Sequence, residues 1–291
     1  MLRLTMVLAL VLLMLLVAAC RSDSDGASDE VLYIGGIPDQ EAARLVRRFD
    51  SASQYLSQQL GVTVEYVPTV DYAALVTAFR RGDIDMAWFG GLTGVQARTM
   101  TPGAQAILQR PSDREFHSVF IVQSSVAAQS LAGLKGLSFA FGSESSTSGH
   151  LMPRFFLTEA GVDPEADFNG LPIYSGSHDQ TWKLVESGVA QAGALNEDVW
   201  ANAVESGSVN LTKVRLLETT PPYYDYHWTI RPDADEKFGA GFTQRVIDAF
   251  LALGPNQQEI LDLFDTDSFI ETENGNYQAI EEVARGLGLI E

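Results

Sequence analysis

The chain has 291 residues, of which 46% are hydrophobic and 10% aromatic, and it carries 38 acidic against 19 basic side chains. This composition is typical of a globular protein with material for one large domain or two lobes of ordinary size. The formal net charge of −19 argues against nucleic-acid binding. It does not exclude a local anion site, because distant carboxylates are largely screened beyond about 8 Å at physiological ionic strength.

The N-terminal segment has the pattern of an export signal. Arg3 precedes an apolar run that is shorter than the roughly 20 residues needed to span a bilayer. Small residues then precede Cys20, the only cysteine, in an order similar to the bacterial lipobox. We therefore predict a signal peptide over 1–19, lipidation of Cys20 and a polar tether over 20–29. The alternative is an incidental cysteine beside an ordinary cleavage site.

The body of the chain contains the same pattern of elements twice. Apolar strand-like runs alternate with segments of helical period, which predicts an α/β fold with mainly parallel sheets. The first βαβαβ unit has strands at 31–36, 62–67 and 86–89 and helices at 39–60 and 72–81. The second has strands at 137–142, 171–174 and 192–195 and helices at 149–160 and 179–186. Helices at 242–253 and 280–287 are expected to return to the first lobe.

The two units can be aligned by placing Gly82, which ends one helix, on Gly188, which ends the other. Tyr72 then coincides with His178, at positions where a strand has ended and a helix begins. Ligands of open α/β sheets bind outside the carboxyl ends of the strands, so we predict that these two side chains reach a ligand from opposite sides of a cleft. The alternative is that Tyr72 packs its helix and His178 caps its own.

Three consecutive hydroxyl side chains, Ser146-Thr147-Ser148, lie between a predicted strand and a predicted helix. Pro153 is tolerated only near a helix start, so these hydroxyls lie beside the free N–H groups of a helix N-terminus. The helix dipole favours an anion there. We predict an oxyanion-binding segment, the alternative being that one serine caps the helix while the others occupy a turn.

Four segments together resemble the phosphonate-binding, PhnD-like family of substrate-binding proteins of bacterial ABC importers. They are residues 71–74, 82–90, 146–149 and 177–178, and the resemblance extends over essentially all of the mature sequence. It implies a type II periplasmic binding protein fold, with two α/β lobes, a two-strand hinge and a ligand cleft between them. Apolar extended segments at 117–122 and 224–230 suit the hinge. The expected division is 30–118 plus 228–291 for lobe 1 and 119–227 for lobe 2.

The resemblance also implies a function. The chain is expected to be a lipid-anchored extracytoplasmic monomer without cofactor or metal. It would capture a small tetrahedral oxyanion by cleft closure and deliver it to a permease and its ATPase. Segments 174–179, 195–196 and 219–228 are similar to a subgroup named for selenate, so phosphonate, phosphite, selenate and phosphate stay an open set.

Ligand-binding roles carry over from the family to Ser146, Thr147, Ser148 and His178, and from the first lobe to Tyr72 and Phe89. Phe89 stands where such proteins often have tyrosine, so it lacks a hydroxyl to donate. Members that hold aminoalkylphosphonates use carboxylates for the ammonium group. Asp225 is the candidate here, with Asn196 on the other wall. The neutral amide of Asn196 favours a smaller oxyanion without an amine.

Three other functions fit parts of the sequence. Ser146 and His178 could serve a hydrolase as nucleophile and base, but the sequence has no Gly-x-Ser-x-Gly elbow. The four histidines lack the short spacing of metal ligands, which argues against a metal importer. A lipid-anchored oxyanion sensor without a transport role is the remaining alternative.

Overall fold

The structure is a computed structural model, and it describes residues 30–290. The signal peptide, Cys20 and the tether predicted for residues 1–29 lie outside this range. In the described part of the chain, no helix combines the length and apolar character required to cross a membrane.

Strands and helices alternate along residues 30–290, as the sequence predicts. The strands are β1 (Val31–Gly36), β2 (Thr63–Tyr66), β3 (Met86–Phe89), β4 (Gln105–Gln109), β5 (Ser118–Gln123), β6 (Phe139–Phe141), β7 (Ile173–Tyr174), β8 (Ala192–Asn196), β9 (Val214–Thr219), β10 (His227–Ile230) and β11 (Ile270–Glu271). The helices are α1 (Ala42–Leu60), α2 (Tyr72–Arg81), α3 (Gly91–Met100), α4 (Met152–Glu159), α5 (His178–Ser187), α6 (Glu197–Glu205), α7 (Ala234–Phe238), α8 (Phe242–Leu251), α9 (Gln258–Leu263) and α10 (Gln278–Gly286).

These strands form two sheets, one in each lobe. The first sheet has the order β11-β4-β10-β3-β1-β2, and the second has the order β7-β6-β8-β5-β9. In the first, β1 pairs in parallel with β2 and β3; in the second, β6 pairs in parallel with β7 and β8. Each parallel trio continues into an antiparallel strand, β10 on β3 and β5 on β8. The predicted two-lobed α/β fold is therefore confirmed.

The alignment of the two halves also holds at single residues. Gly82 and Gly188 end their helices in the left-handed conformation, with φ of 82° and 87°. Three residues after each glycine, a side chain accepts a hydrogen bond from a backbone N–H in, or directly before, the first strand of the same unit. Asp85 accepts from Tyr33 at 2.9 Å, and Gln191 accepts from Ser138 at 3.2 Å. The two units therefore share local contacts as well as topology.

The hinge segments inferred from the sequence are largely strands inside the sheets. β5 lies between β8 and β9, and β10 lies between β3 and β4. Their residues are apolar on both faces because central strands are covered on both sides, and this pattern resembles an extended linker in the sequence. The chain instead crosses between the sheets at 110–117 and 220–226. An antiparallel bridge between Phe116 and Tyr223 joins these two crossover segments.

Each lobe has its own apolar core. In the first, α1 is strongly amphipathic and buries Leu45, Phe49 and Leu56. Phe242 of α8 and Ile280 of α10 belong to the same cluster of buried residues. Burial of side chains of this size contributes about 1.5–3 kcal/mol each. The second lobe has two apolar clusters, one that includes Val185 and one that includes Phe139.

Candidate functional site

The N-termini of several helices meet where the two lobes face each other. The helices α2, α3, α5 and α6 all start within a few residues of a strand end, so their first turns lie at the carboxyl edges of the sheets. Direct bonds join the two sides. Leu92 N–H in α3 donates to Thr147 Oγ1 of the second lobe at 2.9 Å. His178 N–H in α5 donates to the carbonyl of Asp39 in the first lobe at 3.0 Å.

The hydroxyl run adopts an unusual helix start. A single π-helical turn, Thr147–Leu151, precedes α4, and Leu151 N–H donates to the carbonyl of Ser146 at 2.9 Å. Such turns are rare and are frequent at functional sites. The Ser146 side chain caps this turn by accepting from Gly149 N–H at 2.9 Å. The capping role considered in the sequence is thus present at Ser146, whereas Thr147 and Ser148 are buried and face other partners.

Tyr72 brings a phenol to the hydroxyl run from the first lobe. Its side chain is 1% exposed, and its Oη is a buried atom without a hydrogen-bond partner. Burial raises the pKa of Tyr72 well above 10, and the nearby Ser146 hydroxyl opposes this shift. Phe89, in contrast, packs edge-to-face on Phe79 at 5.4 Å between ring centroids. Phe89 therefore supplies apolar packing within the first lobe, and its predicted contact with a ligand stays a prediction.

Asp225 places a buried carboxyl beside the same hydroxyls. Its Oδ1 accepts from Gly91 N–H at 2.8 Å, whereas Oδ2 has no partner. Burial raises the pKa of Asp225 to about 7, and the Gly91 N–H opposes the shift. The nearby Asp113 raises this pKa further, and the hydroxyls of Thr147 and Ser148 lower it. Asp225 is therefore close to half protonated at neutral pH.

Gly90 makes this close approach possible. A Cβ at Gly90 would lie 3.1 Å from both Asp225 Oδ1 and Thr147 Oγ1, closer than side chains normally approach. The second lobe shows similar packing at Gly149, where a Cβ would lie 3.0 Å from His178 Cε1. A larger residue at Gly90 would have to displace Asp225 or Thr147 by a few tenths of an ångström.

His178 and Asn196 are also brought into the site. Burial lowers the pKa of His178 to about 3, so the ring is neutral at physiological pH. Asn196 N–H donates to His178 Nδ1 at 3.3 Å, which leaves the ring proton on Nε2, 3.5 Å from the hydroxyl of Tyr226. The Asn196 amide also donates to this hydroxyl, at 2.8 Å, and its Oδ1 caps α6 by accepting from Val199 N–H.

Two side chains of this cluster were not predicted from the sequence. The Tyr226 hydroxyl donates to Asp39 Oδ2 at 2.9 Å, and the other Asp39 oxygen is buried without a partner. Asp39 follows the end of β1 by three residues, so the rule that ligands bind at carboxyl ends of strands could have identified it. Tyr226 lies in a run of aromatic residues, and no local sequence feature distinguishes it from its neighbours. The start of α3 was missed because Gly90-Gly91 was interpreted as the end of a strand.

Helix N-termini are one source of positive potential in this cluster. The buried guanidinium groups of Arg48 and Arg110 lie near Asp39 and lower its pKa, against the effect of burial. Both are already paired, Arg48 with Asp265 and Arg110 with Asp113. Backbone N–H groups and helix dipoles add positive potential that does not depend on the net charge of the chain.

The geometry does not favour catalysis or metal binding. Among the described residues, no hydrogen bond joins Ser146 to His178, so the nucleophile and base of a hydrolase are not paired. Over residues 30–290, no group of three or more His, Cys, Asp or Glu side chains is arranged to hold a metal ion.

Comparison with known proteins settles the family. Residues 34–277 match the family described as "ABC transporter, phosphonate, periplasmic substrate-binding protein". The chain belongs to this family. It is therefore a periplasmic substrate-binding component of an ABC transporter and not an enzyme, as the sequence resemblance implied.

Individual relatives agree with this assignment. The binding protein is 44% identical over 274 residues to the probable ABC transporter phosphite binding protein PhnD1 of Prochlorococcus marinus, covering 91% of this chain and 92% of the relative. The structure of P. marinus PhnD1 in complex with methylphosphonate matches with a TM-score of 0.87, over 90% of this chain and 100% of that one. The phosphate-import protein PhnD of Mycolicibacterium smegmatis is 29% identical over 201 residues, 65% of this chain and 62% of the relative.

Proposed function

We propose that this protein captures phosphite or a small phosphonate such as methylphosphonate between its lobes and delivers it to the permease and ATPase of an ABC importer. The observation that carries the proposal is a pair of buried atoms without a well-formed hydrogen bond, Tyr72 Oη and Asp225 Oδ2, beside the hydroxyls of Ser146, Thr147 and Ser148. A bound ion can complete the hydrogen bonding of such buried polar atoms. The ligands in the names of the related proteins support the same anions.

The enclosure of the site supports capture by cleft closure and a small ligand. Tyr72, Ser146 and His178 are each about 1% exposed, so an ion can reach them only when the lobes separate. The Asn196 side chain is bonded to Val199 N–H and to the Tyr226 hydroxyl, and it offers no charge to an ammonium group. A compact oxyanion fits better than an aminoalkylphosphonate. Residues 30–118 with 228–291 would move as one lobe and 119–227 as the other.

The carboxyl of Asp225 supports a phosphorus oxyanion over selenate. A carboxylate and an oxyanion can share the site only with a proton between them, because like charges repel strongly in a buried environment. Hydrogen phosphite and hydrogen methylphosphonate bring an acidic O–H, whereas selenate is fully ionised near neutral pH. Selenate must rely on protonated Asp225. We therefore order the expected affinities as phosphite and methylphosphonate first, with selenate and sulfate weaker.

A ligand panel tests this assignment. An ion that binds only the folded state stabilises it by about 2.7 kcal/mol at 100 times its dissociation constant, which raises the melting temperature by several degrees. We expect such shifts with phosphite and methylphosphonate, smaller ones with phosphate, selenate and sulfate, and none with aminoethylphosphonate. The protein should first be unfolded and refolded to remove bound ions. If none of the six compounds changes the melting temperature of the ligand-free protein, the proposal is overturned.

Lipid anchoring at Cys20 completes the proposed function. Cys20 would carry the lipid, and residues 20–29 would tether the binding lobes to the membrane surface. We expect Cys20→Ser to move the protein from the membrane fraction to the soluble extracytoplasmic fraction and to abolish labelling by radioactive palmitate. Ser22→Ala, two positions along the tether, is the matched control and should stay in the membrane fraction. A labelled, membrane-bound Cys20→Ser protein would disprove lipidation at this residue.

A further inference from the structure

The helices α1 and α5, one in each lobe, lack a side-chain cap of their own. Glu41 precedes α1 and Ser177 precedes α5, and neither side chain accepts a hydrogen bond from its helix. Helix starts leave N–H groups without intrahelical partners, so an uncapped start normally depends on water or on another segment. Both of these helix starts lie at the boundary between the lobes.

Each helix start is completed by the other lobe. The Asp39 carbonyl, just before α1, accepts from the N–H of His178, the first residue of α5, at 3.0 Å. In return, the carboxylate of Asp179 in α5 accepts from Glu41 N–H at 2.8 Å. An ion pair of 2.8 Å between Glu41 and Lys183 lies alongside. We call these three contacts the cross-cleft caps.

Two other helices that border the cleft cap themselves. Asp71 accepts from Ala74 N–H at 2.7 Å at the start of α2, and Asn196 accepts from Val199 N–H at 3.0 Å at the start of α6. The helix α2 corresponds to α5 in the alignment of the two halves. The start of α3 donates a hydrogen bond to Thr147 of the second lobe, but among the described residues it accepts none from a helix start there. Among these helices, the exchange in both directions is a feature of α1 and α5.

The cross-cleft caps exist only while the lobes are in contact. Glu41 and Lys183 are partly exposed and line an open groove between the lobes. The enclosed hydroxyl run is not part of the lining of this groove. When the lobes separate, water replaces the caps. The caps therefore stabilise the closed form and not the open form. Closure and ligand capture are linked, so any bond restricted to the closed form also raises the affinity for the ligand.

We propose that α1 and α5 cap each other across the cleft, so that Glu41, Asp179 and Lys183 set the lifetime of the ligand complex without contacting the ligand. This inference rests on the proposed function, because the ligand complex is one of its two readouts. These residues are positioning residues, and their effect passes through the closed arrangement of the lobes.

The test compares the wild-type protein with Asp179→Ala, Asp179→Asn and Lys183→Met. Loss of one cap is expected to raise the dissociation rate of methylphosphonate about fivefold in Asp179→Ala, with little change in the association rate. Asp179→Asn keeps an acceptor oxygen and should restore most of the wild-type rate. Lys183→Met loses only an exposed ion pair and should raise the rate by about twofold.

Lys135→Met is the matched control. Lys135 forms an ion pair of 2.9 Å with Asp167, similarly exposed but entirely within the second lobe, so its loss should leave the dissociation rate unchanged. Small-angle X-ray scattering gives the second readout without ligand. The unliganded Asp179→Ala protein should have a larger radius of gyration than the wild type.

The outcomes separate the two proposals. Failure of the wild-type protein to bind either phosphite or methylphosphonate would remove the proposed ligands, and the scattering comparison would then decide on the cross-cleft caps. Equal radii of gyration, together with equal dissociation rates where binding occurs, would overturn the cross-cleft caps and leave the proposed function intact.

Discussion

Tyr72→Phe is expected to weaken methylphosphonate binding about 10- to 100-fold and, at the same time, to raise the melting temperature of the unliganded protein. With the lobes together, the Tyr72 hydroxyl is buried and has no well-formed hydrogen bond, only the nearby Ser146 hydroxyl, so it loses hydration without full compensation. Removing the hydroxyl relieves a cost of about 1–3 kcal/mol. In the complex, the same hydroxyl would donate to a charged oxygen, a bond that contributes about 1.5–3 kcal/mol.

Lower ligand affinity combined with a higher melting temperature distinguishes Tyr72→Phe from a substitution that only damages the fold. Tyr55→Phe is the matched control, because the Tyr55 hydroxyl donates to the carbonyl of Ala249 at 2.6 Å in the core of the first lobe. The Tyr55→Phe substitution should lower the melting temperature by a few degrees and leave the affinity for methylphosphonate unchanged. Calorimetric titration and thermal unfolding measure both quantities. Wild-type affinity in Tyr72→Phe, or a clearly lower melting temperature, would contradict the proposed role.

Asp225→Asn is expected to remove most of the pH dependence of ligand binding. In the wild type, one proton must lie between Asp225 and the bound oxyanion, and either Asp225, with its pKa of about 7, or hydrogen methylphosphonate can bring it. The affinity should therefore fall about tenfold per pH unit only at a pH where both Asp225 and the ligand are ionised. The amide of the variant carries no charge and still offers an oxygen to Gly91, so its affinity should stay nearly constant. The variant should therefore bind more tightly than the wild type at pH 9.

The same titration affects the stability of the unliganded protein. The pKa of Asp225 is raised from 3.8 to about 7, so the folded state holds this proton more tightly than the unfolded state. The resulting stabilisation is complete below about pH 3.8 and is lost as the pH rises through 7. Relative to the wild type, Asp225→Asn should therefore gain stability between pH 4 and pH 8, by about 4 kcal/mol at most.

Denaturant titrations of both proteins across this pH range measure that gain. Asp167→Asn is the control, because Asp163 N–H and Lys135 lower the pKa of the Asp167 carboxyl, so its removal should not give the gain expected for Asp225→Asn. Parallel stability curves for wild type and Asp225→Asn would show that Asp225 has an ordinary pKa. The proton-sharing argument for phosphorus oxyanions would then fail.

Some parts of the site could be predicted from the sequence and others could not. The positions of Tyr72, His178 and Ser146 follow from local rules, because each comes where a strand ends and a helix starts. Asp39 and Tyr226 were missed, since they belong to the site only through bonds between distant segments. The raised pKa of Asp225 likewise depends on burial between two lobes that are separate along the chain.

Local sequence patterns are enough to predict the two βαβαβ halves, their correspondence at Gly82 and Gly188, and the hydroxyl run at Ser146. These features depend on residue period, helix ends and turn chemistry, which act over a few residues. The positions of β5 and β10 inside the sheets, and the contact between the start of α3 and Thr147, are visible only in the folded chain. Strand order and contacts between lobes are set by long-range packing, about which local sequence patterns carry little information.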